Sequence, residues 1–328
     1  MFLSLFGAVE TGAIYAIMAL GVYLSFRVLD FPDLTVDGSF VTGAAVTAVM
    51  IMNGTSPLMA TVLGALAGFL AGCITGIIHT KGNVNNLLSG ILMMIALYSI
   101  NLRVMGSPQI SLMNDDTLKT QWGDIWDATG IDGVLNGMLE TFGMEKLPST
   151  WGIVIIMLLV IFLIKFLTDY FLKTEVGLAL RATGDNQRMI RSFSANTDVL
   201  IILGIGLSNG LVALSGALIA QHGGFSDAGM GIGMIIIGLA SVIIGEALFG
   251  AKTIARATFA VILGSIIYRV VVTFALRADF LEAGDMKLIT ALLVIIALVM
   301  PKIVQRRKEK RRRLAKRRAL ETEVSEHA

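Results

Sequence analysis

Three ionisable side chains interrupt the long apolar stretches of this 328-residue chain: Glu10, Glu246 and Arg269. A charge at the centre of a bilayer costs at least ~2.5 kcal/mol, so such a group is either paired or functional. Glu246 is close in sequence to Lys252 and Arg256, which predicts a structural ion pair, with a transport role as the alternative. Arg269 either extends to the membrane interface or pairs with Glu10.

No other group of residues has the types and spacing of a catalytic or metal site. Gly245–Thr253 reads G-E-A-L-F-G-A-K-T and resembles a phosphate-binding loop, but Ala251 separates the second glycine from the lysine. A working loop needs the order Gly-Lys-Thr and a preceding strand, whereas an apolar helix is predicted here. The histidines are far apart, and none has a ligand partner four residues on: His79, His222 and His327. We therefore predict no catalytic residue, no metal and no cofactor bound by this chain.

The composition indicates which elements hold these residues. Hydrophobic residues make up 55% of the chain and charged residues 15%, with a mean hydropathy of +0.79, which excludes an ordinary soluble domain. The single cysteine, Cys73, excludes an intrachain disulfide. A bilayer core of ~30 Å needs about 20 apolar residues per helix. The candidate stretches are 3–26, 36–51, 57–78, 86–103, 151–172, 199–221, 230–249, 257–276 and 287–300.

The predicted fold class is therefore an all-α polytopic membrane protein with about nine transmembrane helices. The range is about eight to ten, because stretches 36–51 and 287–300 are short for a span of ~30 Å. A re-entrant segment near residues 32–43 would also change the count.

Charge divides the chain into an acidic middle and a basic end. Residues 104–150 contain seven acidic residues and two lysines, whereas the tail contains 11 Lys/Arg and four Glu. Positive charge marks the cytoplasmic side, so the domains are a transmembrane domain, 1–301, and a basic cytoplasmic tail, 302–328. The tail is expected to contact lipid headgroups, and nucleic-acid binding is the less favoured alternative. The N-terminus and residues 104–150 then lie outside. The loops predicted inside are 27–35, 79–85, 173–198 and 250–256.

Small and polar residues indicate how two of the helices pack. Glycine recurs every four residues along one face of the third stretch, so two backbones can approach closely, within one chain or between subunits. These glycines are Gly64, Gly68, Gly72 and Gly76. Hydroxyl and amide groups of the fourth and sixth stretches are candidates for contacting a polar solute in a pathway, although interhelical hydrogen bonding is the favoured alternative. The candidates are Ser208, Asn209, Ser215, Asn101 and Ser89.

The inner loop 173–198 is too long and too regular for a simple hairpin. Small or apolar residues are mixed with polar ones, and Gly184 and Asp185 interrupt the run. This pattern predicts a short helix on the membrane surface that presents polar side chains and a turn to a soluble partner. A solvated amphipathic loop is the alternative.

The acidic insert 104–150 carries tryptophans as well as carboxylates. Trp122 and Trp126 are four residues apart, and Trp151 follows the insert. The segment either docks a soluble protein through carboxylates and aromatic anchors or rests on lipid headgroups, the depth that tryptophan prefers.

Two segments carry a specific family resemblance. Residues 174–189, T-E-V-G-L-A-L-R-A-T-G-D-N-Q-R-M, and 208–221, S-N-G-L-V-A-L-S-G-A-L-I-A-Q, closely resemble permeases of bacterial ABC importers of the branched-chain amino acid and ribose type. Within that group the chain looks most like permeases paired with tryptophan- or tyrosine-type solute-binding proteins. The likeness extends from about Val9 to Pro301 and is weaker in 104–150, which is longer than the family leads us to expect. By resemblance, the ATPase-coupling motif comprises Arg181, Ala182, Thr183, Gly184, Asp185, Asn186, Arg188 and Arg191.

The resemblance also implies a fold and a set of partners. The fold is that of a type II ABC importer in the bacterial inner membrane, formed by a permease homodimer with two ABC ATPase subunits inside and a solute-binding protein outside. ATP-Mg is bound by the ATPase, so this chain is not itself an enzyme. The implied solute is a small amino acid of aromatic or branched-chain type, selected mainly by the binding protein.

Two other classes of protein are weighed against this hypothesis. A membrane-embedded enzyme needs His, Asp or Glu clustered near one leaflet, and the sequence shows no such cluster. An ion-coupled secondary transporter needs inverted repeats and an acidic residue within the membrane, and Glu10 and Glu246 keep that alternative open.

Overall fold

A computed structural model describes residues 2–128, 130–133, 136, 148, 150–193 and 195–275, together with positions 288, 291, 292, 295 and 299. In this part of the chain α-helices predominate, with one small two-stranded sheet. The helices are α1 Phe2–Tyr23, α2 Thr35–Met52, α3 Pro57–Thr80, α4 Asn86–Met105, α5 Leu118–Asp127, α6 Gly152–Lys173, α7 Glu175–Ser192, α8 Thr197–Gly223, α9 Met234–Phe249 and α10 Ile254–Ala275. The strands are β1 Gln109–Ser111 and β2 Phe225–Asp227.

Seven of the described helices are long and apolar enough to cross a membrane: α1 with its continuation, α2, α3, α4, α6, α8 and α10. This confirms the predicted all-α polytopic membrane protein. The predicted stretch 230–249 is a shorter helix, α9, which begins at Met234 and has 16 residues. The last predicted stretch, 287–300, lies largely outside the described residues, so the count of nine stays a prediction. Residues 35–43 belong to the continuous helix α2.

The α1–α2 junction, residues 24–34, leaves regular α-helix before the chain turns. Leu24–Val28 form a π-helical turn, and Asp30 takes a left-handed φ of 52°. The loop that follows is packed inside the protein, with Phe31 3% exposed and Asp33 fully buried. Asp33 Oδ1 accepts a hydrogen bond from the backbone N–H of Thr35 at 2.9 Å, which satisfies one free amide at the start of α2.

Helix α8 lies at the centre of the bundle and packs against α1, α2, α3 and α7. Its serines donate to backbone oxygens of α1: Ser208 Oγ to Gly21 at 2.7 Å and Ser215 Oγ to Ile14 at 2.8 Å. Such bonds contribute about 0.6 kcal/mol on average in a membrane protein, so they fix the helix pair without dominating its stability. The polar residues of α8 thus avoid lipid, as its composition predicted.

The four-residue glycine repeat of α3 packs within the chain. A Cβ on Gly76 would lie 2.7 Å from Ile202 Cα, and those on Gly68 and Gly72 would also meet α8. Gly64 lies against Thr47 and the backbone of Gly43 in α2. The glycine face therefore lets three helices of one chain approach with backbones nearly in contact.

The described part of the acidic insert is anchored to the first residue of α6 and to the last turn of α8. Helix α5 begins with a capping box formed by Thr117 and Thr120, and Gln221 Oε1 of α8 accepts from the N–H of Leu118 at 3.0 Å. Trp122 packs on the main core, and Trp126 lies against Gly152. Both tryptophans of α5 therefore contact protein.

Candidate functional site

Helix α7, Glu175–Ser192, occupies most of the segment 173–198, for which the sequence pattern predicted a short helix. Thr174 caps the start, where its Oγ1 accepts from the N–H of Gly177 at 3.2 Å. The helical conformation is interrupted at Asn186, which has φ −158° and ψ 90°, and not at Gly184 and Asp185. Asn186 Oδ1 then accepts from the N–H of Met189 at 3.1 Å and caps the second helical piece.

One side of α7 is exposed around this break. Asp185, Asn186 and Arg188 are exposed, and so are the apolar side chains of Met189 and Phe193. A mixed polar and apolar surface of this kind suits contact with another protein. Arg191 is exposed as well, whereas Thr183 is buried and Arg181, Ala182 and Gly184 are half-buried.

The opposite side of α7 rests on the α1–α2 junction. A Cβ on Gly184 would overlap the carbonyl oxygen of Val28 and lie 3.0 Å from Leu29 Cα, so only glycine permits this approach. Leu180, one turn earlier, is 1% exposed and fills the space beside Gly204 of α8. Pressure on the exposed side of α7 would therefore be transmitted to the junction directly, because packed interiors have low compressibility.

Arg191 is the motif residue whose charged side chain bonds to the start of α8. Its guanidinium donates to Thr197 Oγ1 at 2.8 Å and to Asp198 Oδ1 at 2.9 Å. Lys81 approaches the same carboxylate at 3.6 Å. Arg191 thus connects the end of α7 to the start of α8.

Glu246 pairs with Arg27, and not with Lys252 or Arg256 as its sequence neighbours suggested. The physical reason is that α9 packs beside α1, which brings the end of α1 against Glu246. Arg256 instead donates from Nε to the backbone oxygen of Phe249 at 2.6 Å, closing the turn between α9 and α10.

Replacing Glu246 by Gln is expected to change the stability of the folded protein little. The Arg27 side chain is 54% exposed, so solvent screens the pair and its coupling free energy should be roughly 0–1 kcal/mol. A double-mutant cycle of Arg27→Gln and Glu246→Gln, read by thermal unfolding in detergent, measures that coupling. A coupling free energy well above 1 kcal/mol would contradict this and would mean that the pair is shielded from solvent.

Arg269 does not pair with Glu10 in the described structure. Its Cζ lies 4.5 Å from the centroid of the Tyr15 ring, a cation–π contact between α10 and α1. Arg269 Nε is buried without a hydrogen-bond partner among the described residues, and none of these forms an ion pair with Glu10.

The sequence analysis passed over Lys165 and Asp169, which are charged residues inside the span formed by α6. Asp169 of α6 is 7% exposed and accepts from Lys165 Nζ at 2.5 Å and from Thr258 Oγ1 at 2.6 Å. The signal was present, because Lys165 and Asp169 are opposite charges at positions i and i+4 of one helix. The hydrogen bond from Thr258 to Asp169 links α10 to α6.

Asn209 meets a buried carboxylate that the sequence did not single out. Its Nδ2 donates to Asp33 Oδ2 at 2.6 Å, and the hydroxyls of Thr35 and Thr75 bond each other at 2.8 Å beside it. Burial raises the pKa of Asp33, and hydrogen bonds from Thr35 and Asn209 oppose that rise. The junction is thereby connected to α8.

The five candidates for solute contact are not brought into one site. Ser208 and Ser215 bond α1 as described above, and Ser89 Oγ donates to the backbone oxygen of Asn86 at 2.7 Å. Asn101 lines a cavity between α2, α4 and the segment before α9. In the described residues no three His, Cys, Asp or Glu side chains are grouped so that they could hold a metal ion.

A protein-family model described as "Branched-chain amino acid transport system / permease component" matches residues 4–299. The chain belongs to this family. It is therefore an integral membrane protein and the permease component of an ABC importer, as the resemblance of residues 174–189 and 208–221 predicted. A permease of this kind works with ATPase and solute-binding partners.

Two curated relatives of this permease cover most of its length. A tyrosine transport system permease protein of Clostridioides difficile (strain R20291) is 44% identical over 282 residues, which are 86% of each chain. An uncharacterised protein of Rickettsia prowazekii (strain Madrid E) is 32% identical over 295 residues, 89% of this chain and 95% of the relative. No solved structure matches the chain significantly.

Proposed function

We propose that this permease forms the pathway of an ATP-driven importer for an aromatic amino acid of the tyrosine type. The 44% identity to a tyrosine transport permease over 86% of both chains supports this solute class. A branched-chain amino acid is the second candidate, because the family description names that class.

The ATPase partner docks on the exposed side of α7. The observation that carries this proposal is the pairing of two faces on one helix, an exposed surface at Asp185, Asn186 and Arg188 and a tightly packed one at Gly184. ATP-Mg is bound and hydrolysed by that partner, and this chain contributes no catalytic group. Two ATPases serve two copies of the permease, which form a homodimer.

The orientation follows from this docking. Helix α7 and the basic tail 302–328 lie in the cytoplasm of a bacterium, and the N-terminus lies outside the inner membrane. The solute-binding protein docks at the opposite end, where α5 and the residues just before it expose the carboxylates of Asp116, Asp124 and Asp127. Since Trp122 and Trp126 pack on protein, these carboxylates provide the docking contacts.

ATP-driven closure of the ATPases presses α7 against the α1–α2 junction. The displacement passes from Gly184 to Val28 and Leu29, and along the junction to Asp33. Asp33 bonds both the first turn of α2 and Asn209 of α8, so α2 and α8 shift relative to each other. A small movement of α7 thereby switches the helices between two discrete arrangements, which differ in the side of the membrane from which the pathway is accessible.

Reconstitution into proteoliposomes tests the proposal. The permease is reconstituted with its ATPase, and a tyrosine-loaded binding protein is added on the other side of the membrane. The proteoliposomes are expected to accumulate radiolabelled tyrosine only when ATP is present on the side of the membrane that carries the ATPase. The permease alone should be inert, because it has no energy source. Accumulation that survives without ATP and collapses with an uncoupler would show that the chain is an ion-coupled secondary transporter.

A further inference from the structure

A cavity of about 400 Å³ lies between α2, α4 and residues 228–232, the segment that leads into α9. This volume is within the range of roughly 300–1,000 Å³ that is typical of small-molecule sites. Its walls are mostly apolar, with Ile95 and Tyr98 of α4 on one side and Ile232 on another. The polar side chains in the lining, Tyr98 apart, are those of Asp37 and Asn101.

Asn101 lines this cavity and carries an unsatisfied buried acceptor. Its side chain is 1% exposed, and its Nδ2 donates to the backbone oxygen of Gly38 at 3.2 Å. The amide oxygen, Oδ1, has no hydrogen-bond partner. A buried acceptor without a partner destabilises the protein, so a ligand that supplies an N–H or O–H donor would satisfy it.

Asp37 places a carboxylate in the same lining. Its two oxygens accept from the N–H groups of Gly233 and Ile235 at 2.9 and 2.8 Å, in the first turn of α9. A carboxylate has about four acceptor positions, so Asp37 can bind a further donor while it caps the helix. Asp37 and Asn101 together provide two acceptors in one cavity.

The start of α9 lies inside the bundle and not at its end. Ala228 packs with Ala45 and Met105, and Gly231 lies against the backbone of Asp37 farther down α2. Residues 228–233 therefore descend along α2 without helical structure before α9 begins, which explains why that helix has only 16 residues. Non-helical backbone at membrane depth is tolerated where it lines a cavity, and interrupted helices mark solute sites in transporters.

We propose that this cavity is a solute-binding station of the pathway that receives an amino acid by its ammonium group. The ammonium donates to Asp37 and to Asn101 Oδ1, and the apolar or aromatic side chain of the solute lies along Tyr98, Ile95 and Ile232. This inference rests on the proposed function, since it places the amino acid in a particular part of the chain. Few polar contacts and an open side favour weak binding, which lets the solute leave.

Uptake by the complete importer in proteoliposomes tests the station. Asn101→Leu keeps the size of the side chain and removes its acceptor, and it is expected to lower tyrosine uptake about tenfold, the effect of one lost hydrogen bond to a charged group. Tyr98→Ala should lower uptake about three- to tenfold through lost aromatic contact, whereas Tyr98→Phe should retain it. Leu88→Ala is the matched control, because Leu88 is an exposed residue of α4 that does not line the cavity.

The outcomes distinguish failure of the proposed binding station from failure of the proposed importer function. ATPase activity stimulated by the loaded binding protein should stay near the wild-type level in each variant, which shows that the complexes assemble. If Asn101→Leu fails to assemble, the exposed Tyr98 variants decide the question. If both Asn101→Leu and Tyr98→Ala show wild-type uptake, whatever their melting temperatures, the proposal of a binding station is wrong and the proposed importer function is unaffected. Absence of ATP-dependent uptake in the wild-type complex overturns both.

Discussion

The double variant Asp185→Leu/Asn186→Leu is expected to lower ATP-driven uptake by roughly 100-fold or more. This is the effect expected when two polar contacts are lost from one docking surface. Both side chains are exposed at the break in α7, so neither holds the bundle together. Asn186 also creates the break, because its extended backbone and its cap on Met189 start the second helical piece. Leucine, a strong helix former without a cap, favours a continuous helix and reorients the residues that follow.

Uptake and co-purification of the ATPase are measured side by side in this variant. The permease should still insert into the membrane and fold, with an unfolding temperature lowered by no more than the loss of one helix cap, about 0.5–2 kcal/mol, allows. Asn53→Leu is the control, because it replaces an exposed amide at the far end of α2 from the junction. Normal uptake by the double variant would remove α7 from the coupling pathway.

The sequence predicted helical elements well because their signal is local. A run of about 20 apolar residues must form a helix in lipid, where every backbone group needs an internal partner. The break in α7 was predicted at Gly184 and Asp185, because Gly and Asp disfavour a regular helix, and it lies one residue later, at Asn186. The four-residue glycine repeat also predicted a packing face from a local signal, because its spacing places Gly64 and Gly76 on one side of α3.

What the sequence could not provide was the partner of each group. Glu246 had two basic neighbours in sequence, yet its partner Arg27 is 219 positions away and meets it only because α9 packs beside α1. Asp33 was assigned to a loop and passed over, although the fold buries it against Asn209. Asn101 was a candidate by residue type alone. Its place in a cavity depends on where α9 begins, which follows from the contact of Gly231 with α2.

Larger side chains at Gly72 are expected to have the greatest effect on folding. A Cβ there would lie 2.5 Å from the backbone oxygen of Ile205 and 2.8 Å from Asn209 Cβ, closer than atoms in proteins approach. Gly72→Ala should lower the free energy of unfolding by about 1–3 kcal/mol, and Gly72→Leu by on the order of 3 kcal/mol or more, because a packed interface has no room to relax. Displacing Asn209 also loosens its 2.6 Å bond to Asp33, so uptake should fall even where folding survives.

Gly7 provides the matched control, since it is a glycine of a membrane helix around which nothing lies within 4 Å of an added Cβ. Gly7→Ala should change stability by less than about 1 kcal/mol, and in the favourable direction, because alanine has the higher helix propensity. The midpoints of thermal unfolding in detergent and the yield of monodisperse permease measure the contrast. Equal midpoints for the two alanine variants would mean that α3 and α8 are not in close contact. The connection from the junction through Asp33 to Asn209 would then lack the rigid support from α3 that force transmission requires.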